Sequence, residues 1–512
     1  MPKLQSKSRR REVPPAILEA YRLQVAGRTA DAEAQYRQVL VAEPDQPEAL
    51  HQLGLICRER RQFPQALELL IACTKSDRGS AEALSNCGVV LIDMKRHADA
   101  LTYLDRALVL QPNFVPALYN RGQALAVLGR HQEALRSFDR VLAHDPVHVD
   151  AHYGRGNALR ELRRHDEALA SYRRACERAP ERADIHMDEA LTLLRLGDFR
   201  AGWPKYAWRW RKLGLGSRFA QPAWRGSQQA DLQDDLHGRT ILLHAEQGHG
   251  DTIQFARYAA LVAAHGARVV LEVQPGLTTL MQSLPGPAVV TRQGDAVPAF
   301  DLHCPLLSLP LAFGTEIASI PAGVPYLNAA PDRRATWQAR LAGTKRRRIG
   351  LVWSGSQDFV DDRKRSIPFD RLAPLLDVPD IDVIGLQRDV PVADPAAMQA
   401  GALTNLGAEL RDFADTAAVI SLLDLVISVD TAVAHLAGAL AMPVWILLPA
   451  SPDFRWMLDR EDSPWYPSAR LFRQPAPGDW ASVIARVRAE LLAWKPRSAT
   501  QNSASPGMSI LA

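Results

Sequence analysis

The sequence lacks several features that would define a function class. Its five cysteines are an odd number and form no CxxC pair, which argues against a disulfide framework and favours a reducing compartment. The sequence contains no GxxxxGK[ST] phosphate loop, GxSxG elbow or HExxH helix. It therefore excludes ATPase, serine hydrolase and zinc peptidase functions of those types. The formal charge of +4 over 512 residues gives no global electrostatic case for a nucleic-acid partner, so none is predicted.

One apolar stretch is long enough to cross a bilayer. Residues 431–452 contain no Asp, Glu, Lys or Arg, and a membrane-spanning helix takes about 20 apolar residues. The stretch is interrupted where a strand-helix-strand unit needs interruptions, at His435, Gly438, Pro443 and Pro449. No flanking pattern of basic residues marks an insertion topology, so we predict no membrane span.

Both ends of the sequence have compositions typical of disorder. The opening MPKLQSKSRRREV has the charge of a signal peptide's first region but no apolar segment behind it. We therefore predict a disordered basic leader over 1–12 and a cytoplasmic protein. Residues 496–512 are rich in Ser and predict a disordered tail.

The first two hundred residues repeat with a period of 34. Small residues keep this step, with glycine at 54, 88, 122 and 156 and alanine at 32, 66, 100, 134 and 168. An aromatic residue follows the alanine by four positions at Tyr36, Phe138 and Tyr172. Small residues let two helices approach closely and the aromatic fills the space between neighbours, so this pattern resembles tetratricopeptide repeats.

The period predicts an all-α solenoid over 13–216, with six repeats near 13–46, 47–80, 81–114, 115–148, 149–182 and 183–216. The last repeat adds Trp203, Trp208 and Trp210, more aromatic surface than one hairpin buries. We expect it to cap the solenoid and pack on the region C-terminal to it, with no ligand role for these tryptophans. The concave face of such a solenoid predicts a protein or peptide partner.

After a polar connector over 217–238, the periodicity becomes that of an α/β protein. The half-domain 239–328 is predicted to hold strands Thr240–His244, Arg268–Val273 and Ala288–Thr291 and helices Thr252–Ala264 and Leu277–Leu284. A linker over 329–348 contains a predicted helix, Asp332–Leu341. The half-domain 349–495 is predicted to hold strands Ile349–Trp353, Val383–Leu386, Leu425–Val429 and Val444–Leu448.

The most informative stretch is LDLVISVDTAVAHLAGALAMPVWILLP, residues 423–449. A buried strand, Leu425–Val429, is broken by Asp430 and Thr431 and followed by a helix, Ala432–Leu440. In a parallel sheet such a turn lies at the carboxyl end of the strand, where free N–H groups and the positive helix end bind anions. The pattern therefore predicts a phosphate site at this turn.

Four segments carry a resemblance to known enzymes. IGLVWS (349–354), DDRKRSIPF (361–369) and SVDTAVAHLAGAL (428–440) resemble the second domain of heptosyltransferase-like family 9 glycosyltransferases. AEQGHGDTIQFARY (245–258) resembles the opening of the first domain in bacterial proteins that fuse tetratricopeptide repeats to such a transferase. The resemblance implies a GT-B fold of two Rossmann-type halves. It also implies an enzyme that transfers a sugar from a nucleotide-sugar donor with inversion and without a resident cofactor.

The sequence also departs from that family. Its first domain is shorter than in lipopolysaccharide heptosyltransferases, Ala432 stands where those enzymes usually have Gly, and their lipid-acceptor features are not recognisable. Donor binding is therefore better supported than the identity of the acceptor.

Glycosyl transfer with inversion needs a base for the acceptor hydroxyl proton and stabilisation of the departing diphosphate. Asp251 follows the first strand, and the resemblance implies that it is the base. The alternative is that Asp251 only caps the following helix. Gly248, His249 and Gly250 directly precede it and are secondary candidates.

The resemblance implies a donor site at Asp430, Thr431, Ala432 and His435. In the alternative, Asp430 and Thr431 are plain capping residues and His435 is a buried structural histidine.

Basic residues near the first strand of the second half are candidates for neutralising phosphate. Arg365 is preferred, with Lys364 and Arg363 as rivals, because arginine makes charge-assisted hydrogen bonds to phosphate. An exposed basic loop is the alternative.

Four further residues are candidates from their positions. Gln387 ends the second strand of this half and can bond a base or ribose. Asp415 is predicted to cap a helix in preference to contacting ribose. Arg455 and Arg460 lie in PDFRWMLDREDSPWYP, 452–467, and are secondary donor or acceptor candidates.

Two functions stay open. The first is an inverting, metal-independent glycosyltransferase whose repeats select an acceptor such as a polypeptide. The second is a repeat scaffold with a catalytically idle transferase-like domain. Asp380-Ile381-Asp382 matches a DxD string, but it precedes a strand, away from the carboxyl edge, so no metal is predicted.

Overall fold

A computed structural model describes residues 14–76, 80–214, 218–226, 236–343, 346–356, 362–391, 394 and 403–494. The chain divides into two compact units, Met1–Glu189 and Ala190–Ala512. The predicted leader 1–12 and the predicted tail 496–512 lie outside the described residues. So do residues 227–235 of the predicted connector.

The first unit is built from helix pairs whose second members begin every 34 residues, at Thr29, Phe63, His97, His131 and His165. The pairs are α1 (Pro15–Val25) and α2 (Thr29–Ala42), α3 (Pro47–Glu59) and α4 (Phe63–Ser76), α5 (Ala81–Asp93) and α6 (His97–Leu110), α7 (Val115–Val127) and α8 (His131–His144), and α9 (Val149–Glu161) and α10 (His165–Arg178). The helix α11 (Ala183–Leu196) begins the next pair. The predicted repeat solenoid is thus present.

Close helix approach explains why glycine recurs at the period. A Cβ added at Gly122 would lie 2.6 Å from the ring of Phe138, and one added at Gly156 would lie 2.5 Å from the ring of Tyr172. Both rings are buried, Phe138 to 1% and Tyr172 to 0% exposure. A larger residue at these glycines would displace the aromatic ring that fills the hairpin.

The second unit begins within the last predicted repeat and includes α12 (Phe199–Tyr206) and α13 (Arg209–Lys212). The indole N–H of Trp203 donates to the backbone oxygen of Thr315 at 3.0 Å. Its ring meets that of Phe454 edge-on at 5.8 Å. The expectation that this repeat packs on the region C-terminal to it is confirmed for Trp203, which is buried among residues of the α/β region.

Within the described residues, the first sheet of this unit has four parallel strands in the order β3-β2-β1-β4. They are β1 (Thr240–His244), β2 (Arg268–Val273), β3 (Pro287–Arg292) and β4 (Leu302–Pro305), with helices α14 (His249–Phe255), α15 (Ala259–Ala264), α16 (Thr278–Met281) and α17 (Leu309–Ala312). The predicted helix Thr252–Ala264 is wrong as one element, because a single 3-10 turn at Ala256–Tyr258 divides it. The predicted helix Leu277–Leu284 is shorter than expected, and β4 was not predicted.

The second sheet, as far as the structure describes it, has six parallel strands in the order β10-β9-β8-β5-β6-β7. They are β5 (Arg347–Val352), β6 (Ile381–Gly385), β7 (Thr404–Asn405), β8 (Leu425–Val429), β9 (Val444–Leu448) and β10 (Ala469–Arg473). The helices are α18 (Pro331–Arg340), α19 (Asp362–Arg365), α20 (Ala373–Leu376), α21 (Phe413–Ile420), α22 (Ala432–Ala439) and α23 (Trp480–Ala493). Strands β8 and β9 have the predicted bounds, whereas β7 and β10 were not predicted.

The order of this sheet reverses between β5 and β8, which lie side by side. Open α/β sheets bind ligands outside the carboxyl ends of the strands at such a switch point. The two sheets together agree with the predicted fold class, a helical solenoid followed by a GT-B-like α/β region.

The apolar stretch 431–452 is divided between α22 and β9. Across the described part of the chain, we find no helix with both the length and the apolarity that crossing a bilayer requires. None of the five cysteines, all of which lie in the described residues, forms a disulfide bond.

Candidate functional site

The candidate site lies where β1 and β8 end and the helices α14 and α22 begin. Asp251 is in the first turn of α14, and Asp430 directly follows β8. A Cβ added at Gly250 would lie 2.9 Å from Cδ2 of His435 and 3.4 Å from Cα of Ala432. The backbone before Asp251 therefore touches the first turns of α22, so the carboxyl ends of the two sheets meet here.

Asp251 uses both carboxylate oxygens. Its Oδ2 accepts the backbone N–H of Gly248, the residue before α14, at 2.9 Å, which is the reciprocal half of a capping box. Its Oδ1 accepts a hydrogen bond from Nη2 of Arg455. The capping contact in the alternative interpretation is therefore present, but it occupies only one oxygen.

Arg455 links the loop after β9 to the start of α14. Its side chain is 9% exposed, Nη1 donates to Asp453 at 2.8 Å, and Nε donates to Gln254 at 2.7 Å. Burial disfavours the charge of this guanidinium, but the carboxylates of Asp453 and Asp251 outweigh burial and raise its pKa. Arg455, only a secondary candidate by sequence, is a permanent cation at the centre of the site.

The first turn of α22 is half-exposed and open to a ligand. Thr431 occupies the N-cap position but makes no side-chain capping bond, and its hydroxyl pairs with that of Ser428 at 3.0 Å. The first amides of any helix have no intrahelical acceptor. The predicted anion site at this helix end thus has the necessary geometry, and Ala432 supplies the first helical residue.

His435 lies one turn further along α22 and is 5% exposed. Its Nδ1 is 3.0 Å from the hydroxyl of Tyr466, and its ring stacks on Trp456 at 5.2 Å. Its Nε2 is 3.9 Å from Oδ1 of Asp430. Burial, and then the positive charge of Arg455, lowers the pKa of His435 well below its usual range, so the imidazole is neutral.

Asp430 faces two opposing influences. Burial and the nearby carboxylate of Asp453 raise the pKa of Asp430 to about 6, against the effect of Arg365. Arg365 donates through Nη1 to the backbone oxygen of Asp430 at 2.9 Å and through Nε to Asp362 at 3.0 Å. Of the three rival basic residues, Arg365 is the one held at the end of β8, whereas Arg363 and Lys364 are exposed.

Gln387 has a different role from the predicted one. Its Oε1 accepts the N–H groups of Trp353 and Ser354 at 3.2 and 3.1 Å. Its Nε2 donates to the backbone oxygens of Ser354 and Asp389 at 3.1 and 3.0 Å. The amide has no further hydrogen-bonding position, so the prediction that it bonds a base or ribose is wrong; it shapes the loop after β5 instead.

Asp415 is also a correction, because the N-cap of α21 is Asp412. Asp412 accepts the N–H groups of Ala414 and Asp415 at 3.0 Å each. The side chain of Asp415 is fully buried and accepts from Arg333 at 2.8 Å and Arg411 at 2.7 Å. It therefore joins α18 to α21 and neither caps the helix nor faces the site.

Two secondary candidates lie at the margin. Arg460 makes a two-pronged ion pair with Asp462 at 2.8 and 2.6 Å, and the Asp462 side chain is 72% exposed. His249 is exposed, with its ring 5.2 Å from that of Phe413.

Sequence reasoning missed Arg257, which fastens the first sheet to the loop after β9. It is 4% exposed, donates to the backbone oxygen of Trp465 at 2.8 Å and to the hydroxyl of Tyr326 at 3.0 Å. Its guanidinium also lies 4.7 Å from the ring of Tyr466. Arg257 stands inside the 245–258 segment that carries the resemblance, which was the available signal.

Comparison with known families agrees with this architecture. Residues 17–81, 58–114 and 119–183 match the family model of the tetratricopeptide repeat. Residues 392–476 match glycosyltransferase family 9 (heptosyltransferase). The chain thus carries the predicted tetratricopeptide repeats, followed by a segment that matches glycosyltransferase family 9.

Individual relatives add little beyond this. Protein FlbA of Caulobacter vibrioides is 29% identical over 334 residues, 59% of this chain and 54% of FlbA, so the chain spans about half the length of this curated relative. Among solved structures, YrrB, described as a TPR protein with an unusual peptide-binding site, is 26% identical over 33% of this chain and 87% of its own, with a TM-score of 0.30. MamA 41-end from Desulfovibrio magneticus RS-1 is 21% identical over 33% and 97%, with a TM-score of 0.32.

Proposed function

We propose that this protein is an inverting, metal-independent glycosyltransferase that transfers a sugar from a nucleotide-sugar donor to an acceptor selected by its repeats. The observation that carries the proposal is the hydrogen bond of Asp251, beside the first sheet, to Arg455, together with the close approach of Gly250 to the start of α22, beside the second sheet. A carboxylate and an anion-binding helix end are the two groups that this reaction needs close together.

The donor diphosphate would lie against the first turn of α22. The free amides of that turn and the hydroxyl of Thr431 would donate to the phosphate oxygens. Arg365, held beside Asp430, supplies positive charge for the leaving group. The neutral ring of His435 would donate from Nε2 if Tyr466 donates to Nδ1. These groups can stabilise the diphosphate without a divalent cation.

Asp251 would act as the base. The acceptor hydroxyl attacks the anomeric carbon from the face opposite the diphosphate, its proton passes to the carboxylate, and the bond from carbon to phosphate oxygen breaks with inversion. Arg455 is a positioning residue in this scheme, because it holds one oxygen of Asp251 in place. The repeats would present the acceptor, for which we favour a polypeptide because helical solenoids offer extended surfaces to peptides.

The base is tested with Asp251→Asn, which keeps the side-chain shape and one oxygen for Gly248. Transfer should fall about 10²- to 10⁴-fold, the contribution of a positioned base, while donor affinity stays close to the parent's. Asp462→Asn is the matched control, since Asp462 is also paired with an arginine but is exposed and outside the site. If Asp251→Asn transfers sugar at the parent rate, Asp251 is only a helix cap and is not the base.

The anion site is tested separately from turnover, with Thr431→Val and His435→Ala checked for folding by circular dichroism. Each lost charge-assisted hydrogen bond costs about 1.5–3 kcal/mol, which weakens nucleoside-diphosphate binding roughly ten- to a hundredfold. Nucleoside binding should not change, because a nucleoside has no diphosphate to reach the helix end. Unchanged nucleoside-diphosphate affinity in both folded variants would refute the proposed anion site at the start of α22.

One observation favours the second candidate, a repeat scaffold with an idle transferase-like domain. Both oxygens of Asp251 already have partners, so acceptor binding must compete with Arg455 or use a remaining lone pair. A screen of nucleotide sugars by thermal shift, followed by hydrolysis and transfer assays, separates the two. Donor binding without any turnover across the screen would favour the scaffold.

A further inference from the structure

We propose that Cys176, His186 and Glu189, in the first unit, form a binding site for a divalent cation of the zinc class. Cys176 lies in α10, and His186 and Glu189 lie three residues apart on α11, where such spacing puts side chains on one face. One ligand atom from each residue lies within 4.8 Å of the other two. This site is separate from the transferase chemistry proposed above.

The distances fit a tetrahedral ion. Sγ of Cys176 is 3.6 Å from Nδ1 of His186 and 4.0 Å from Oε2 of Glu189. Zinc binds sulfur at about 2.3 Å and nitrogen or oxygen at about 2.0–2.2 Å, so tetrahedral angles separate such donor atoms by about 3.6 Å. The two distances from Cys176 are therefore close to those of a tetrahedral zinc site, and the donor atoms of His186 and Glu189 lie within 4.8 Å of each other.

The imidazole is oriented as a ligand would be. Nε2 of His186 lies 2.8 Å from the backbone oxygen of Pro180. Because a carbonyl oxygen only accepts, Nε2 carries the ring proton and Nδ1 presents its lone pair to the thiol of Cys176. A metal-binding histidine usually donates a hydrogen bond from its other ring nitrogen to an acceptor such as a backbone carbonyl, as His186 does here.

The preceding repeat has the same histidine contact but lacks the other two ligands. His152 stands 34 residues before His186, and its Nε2 lies 3.0 Å from the backbone oxygen of Pro146. Leu142 and Arg155 occupy the positions that correspond to Cys176 and Glu189. The bond from histidine to the proline carbonyl thus belongs to the repeat architecture, whereas the thiol and carboxylate beside it do not.

The chemistry of the three donors selects the ion. A thiolate and an imidazole favour zinc over the hard cations magnesium and calcium. Glu189 supplies a carboxylate that is 1% exposed and lies 3.6 Å from the guanidinium of Arg173. Cys176 and His186 are half-buried, which leaves a route for the ion. Three protein ligands leave the fourth position to water.

The test uses untagged, reduced, metal-free full-length protein titrated with Co²⁺ as a spectroscopic probe, followed by displacement with Zn²⁺. We expect thiolate-to-cobalt absorption that saturates at one ion per chain and is lost when Zn²⁺ is added. Cys176→Ser, His186→Asn and Glu189→Gln should each weaken Co²⁺ binding at least tenfold, since even supporting residues of metal sites contribute about 10- to 100-fold.

His152→Asn is the matched control, because it removes the same histidine-to-carbonyl bond one repeat earlier. It should bind Co²⁺ like the parent. Circular dichroism without metal identifies any variant that fails to fold, and Cys176→Ser, the smallest change, keeps the test decisive. Absence of thiolate-to-cobalt absorption in the parent, or parent-like affinity in folded Cys176→Ser, would overturn the proposal.

Discussion

Replacing Arg455 by glutamine should destabilise the second unit far more than the same change at Arg460. Both arginines lie in the loop after β9, and both bind aspartate, but their surroundings differ. Arg455 is 9% exposed and contacts Asp251, Asp453 and Gln254. Arg460 pairs with Asp462, whose side chain is 72% exposed.

Burial sets the magnitude. Removing one partner of a buried ion pair costs about 3–5 kcal/mol, because the remaining charge stays desolvated. Asp251 and Asp453 are 18% and 35% exposed, so water relieves part of this cost. We therefore expect a loss of about 3 kcal/mol for Arg455→Gln, against about 0–1 kcal/mol for Arg460→Gln, because the partner carboxylate Asp462 is largely exposed.

Tryptophan fluorescence during urea unfolding measures the loss in the relevant part of the chain. All 11 tryptophans lie at position 203 or later, so their fluorescence reports the second unit alone. A cycle that combines Arg455→Gln with Asp251→Asn then isolates the pair itself.

The cycle should show that the double variant is less destabilised than the sum of the two single variants, because each single change leaves the partner group unpaired. Equal losses, within about 1 kcal/mol, for Arg455→Gln and Arg460→Gln would refute the claim that burial makes the Arg455 network important. So would additive effects of Arg455→Gln and Asp251→Asn.

Three further outcomes are expected from the structure. Burial raises the pKa of Asp430 in the folded protein to about 6. Between roughly pH 4 and 6 the folded protein therefore binds more protons than the unfolded chain, so the free energy of unfolding falls as pH rises through that window. Asp430→Asn should remove this contribution, up to about 3 kcal/mol, which urea unfolding at pH 4 and pH 7 measures; an identical pH dependence in the variant would contradict it. Gly438→Ala places a Cβ 2.4 Å from the ring of Tyr466 and should cost about 1–3 kcal/mol by overpacking, whereas Gly323→Ala, which meets open space, should leave the melting temperature unchanged. Deleting 1–182 should leave a fragment that folds and binds nucleoside diphosphate, because the second compact unit begins at Ala190; circular dichroism and a binding titration check this, and an unfolded fragment would count against the division.

Local periodicity and turn chemistry determined much of the fold. The spacing of 34 residues predicted the helix pairs, because the glycine of each pair faces a large apolar side chain on the second helix, a leucine in the earlier repeats and an aromatic ring at Phe138 and Tyr172. Apolar runs ended by polar residues or proline predicted β8 and β9 with their observed bounds, because both strands are buried on both faces. The same local signal predicts an anion site at Thr431, which stays a prediction.

Only the tertiary structure decided which polar side chains face the site. Gln387 and Asp415 sit in sequence positions that suit a ligand, but backbone groups occupy the first and arginines from α18 and the loop before α21 occupy the second. The strand β10 has arginines at 470 and 473, three positions apart, so it lacks a period of two and forms by pairing with β9 at the sheet edge. The contact between Arg455 and Asp251 joins residues 204 positions apart, and no local pattern encodes it. Periodicity reports which face of an element is buried, whereas hydrogen-bond partners depend on how distant elements meet, and that is settled only when the chain packs.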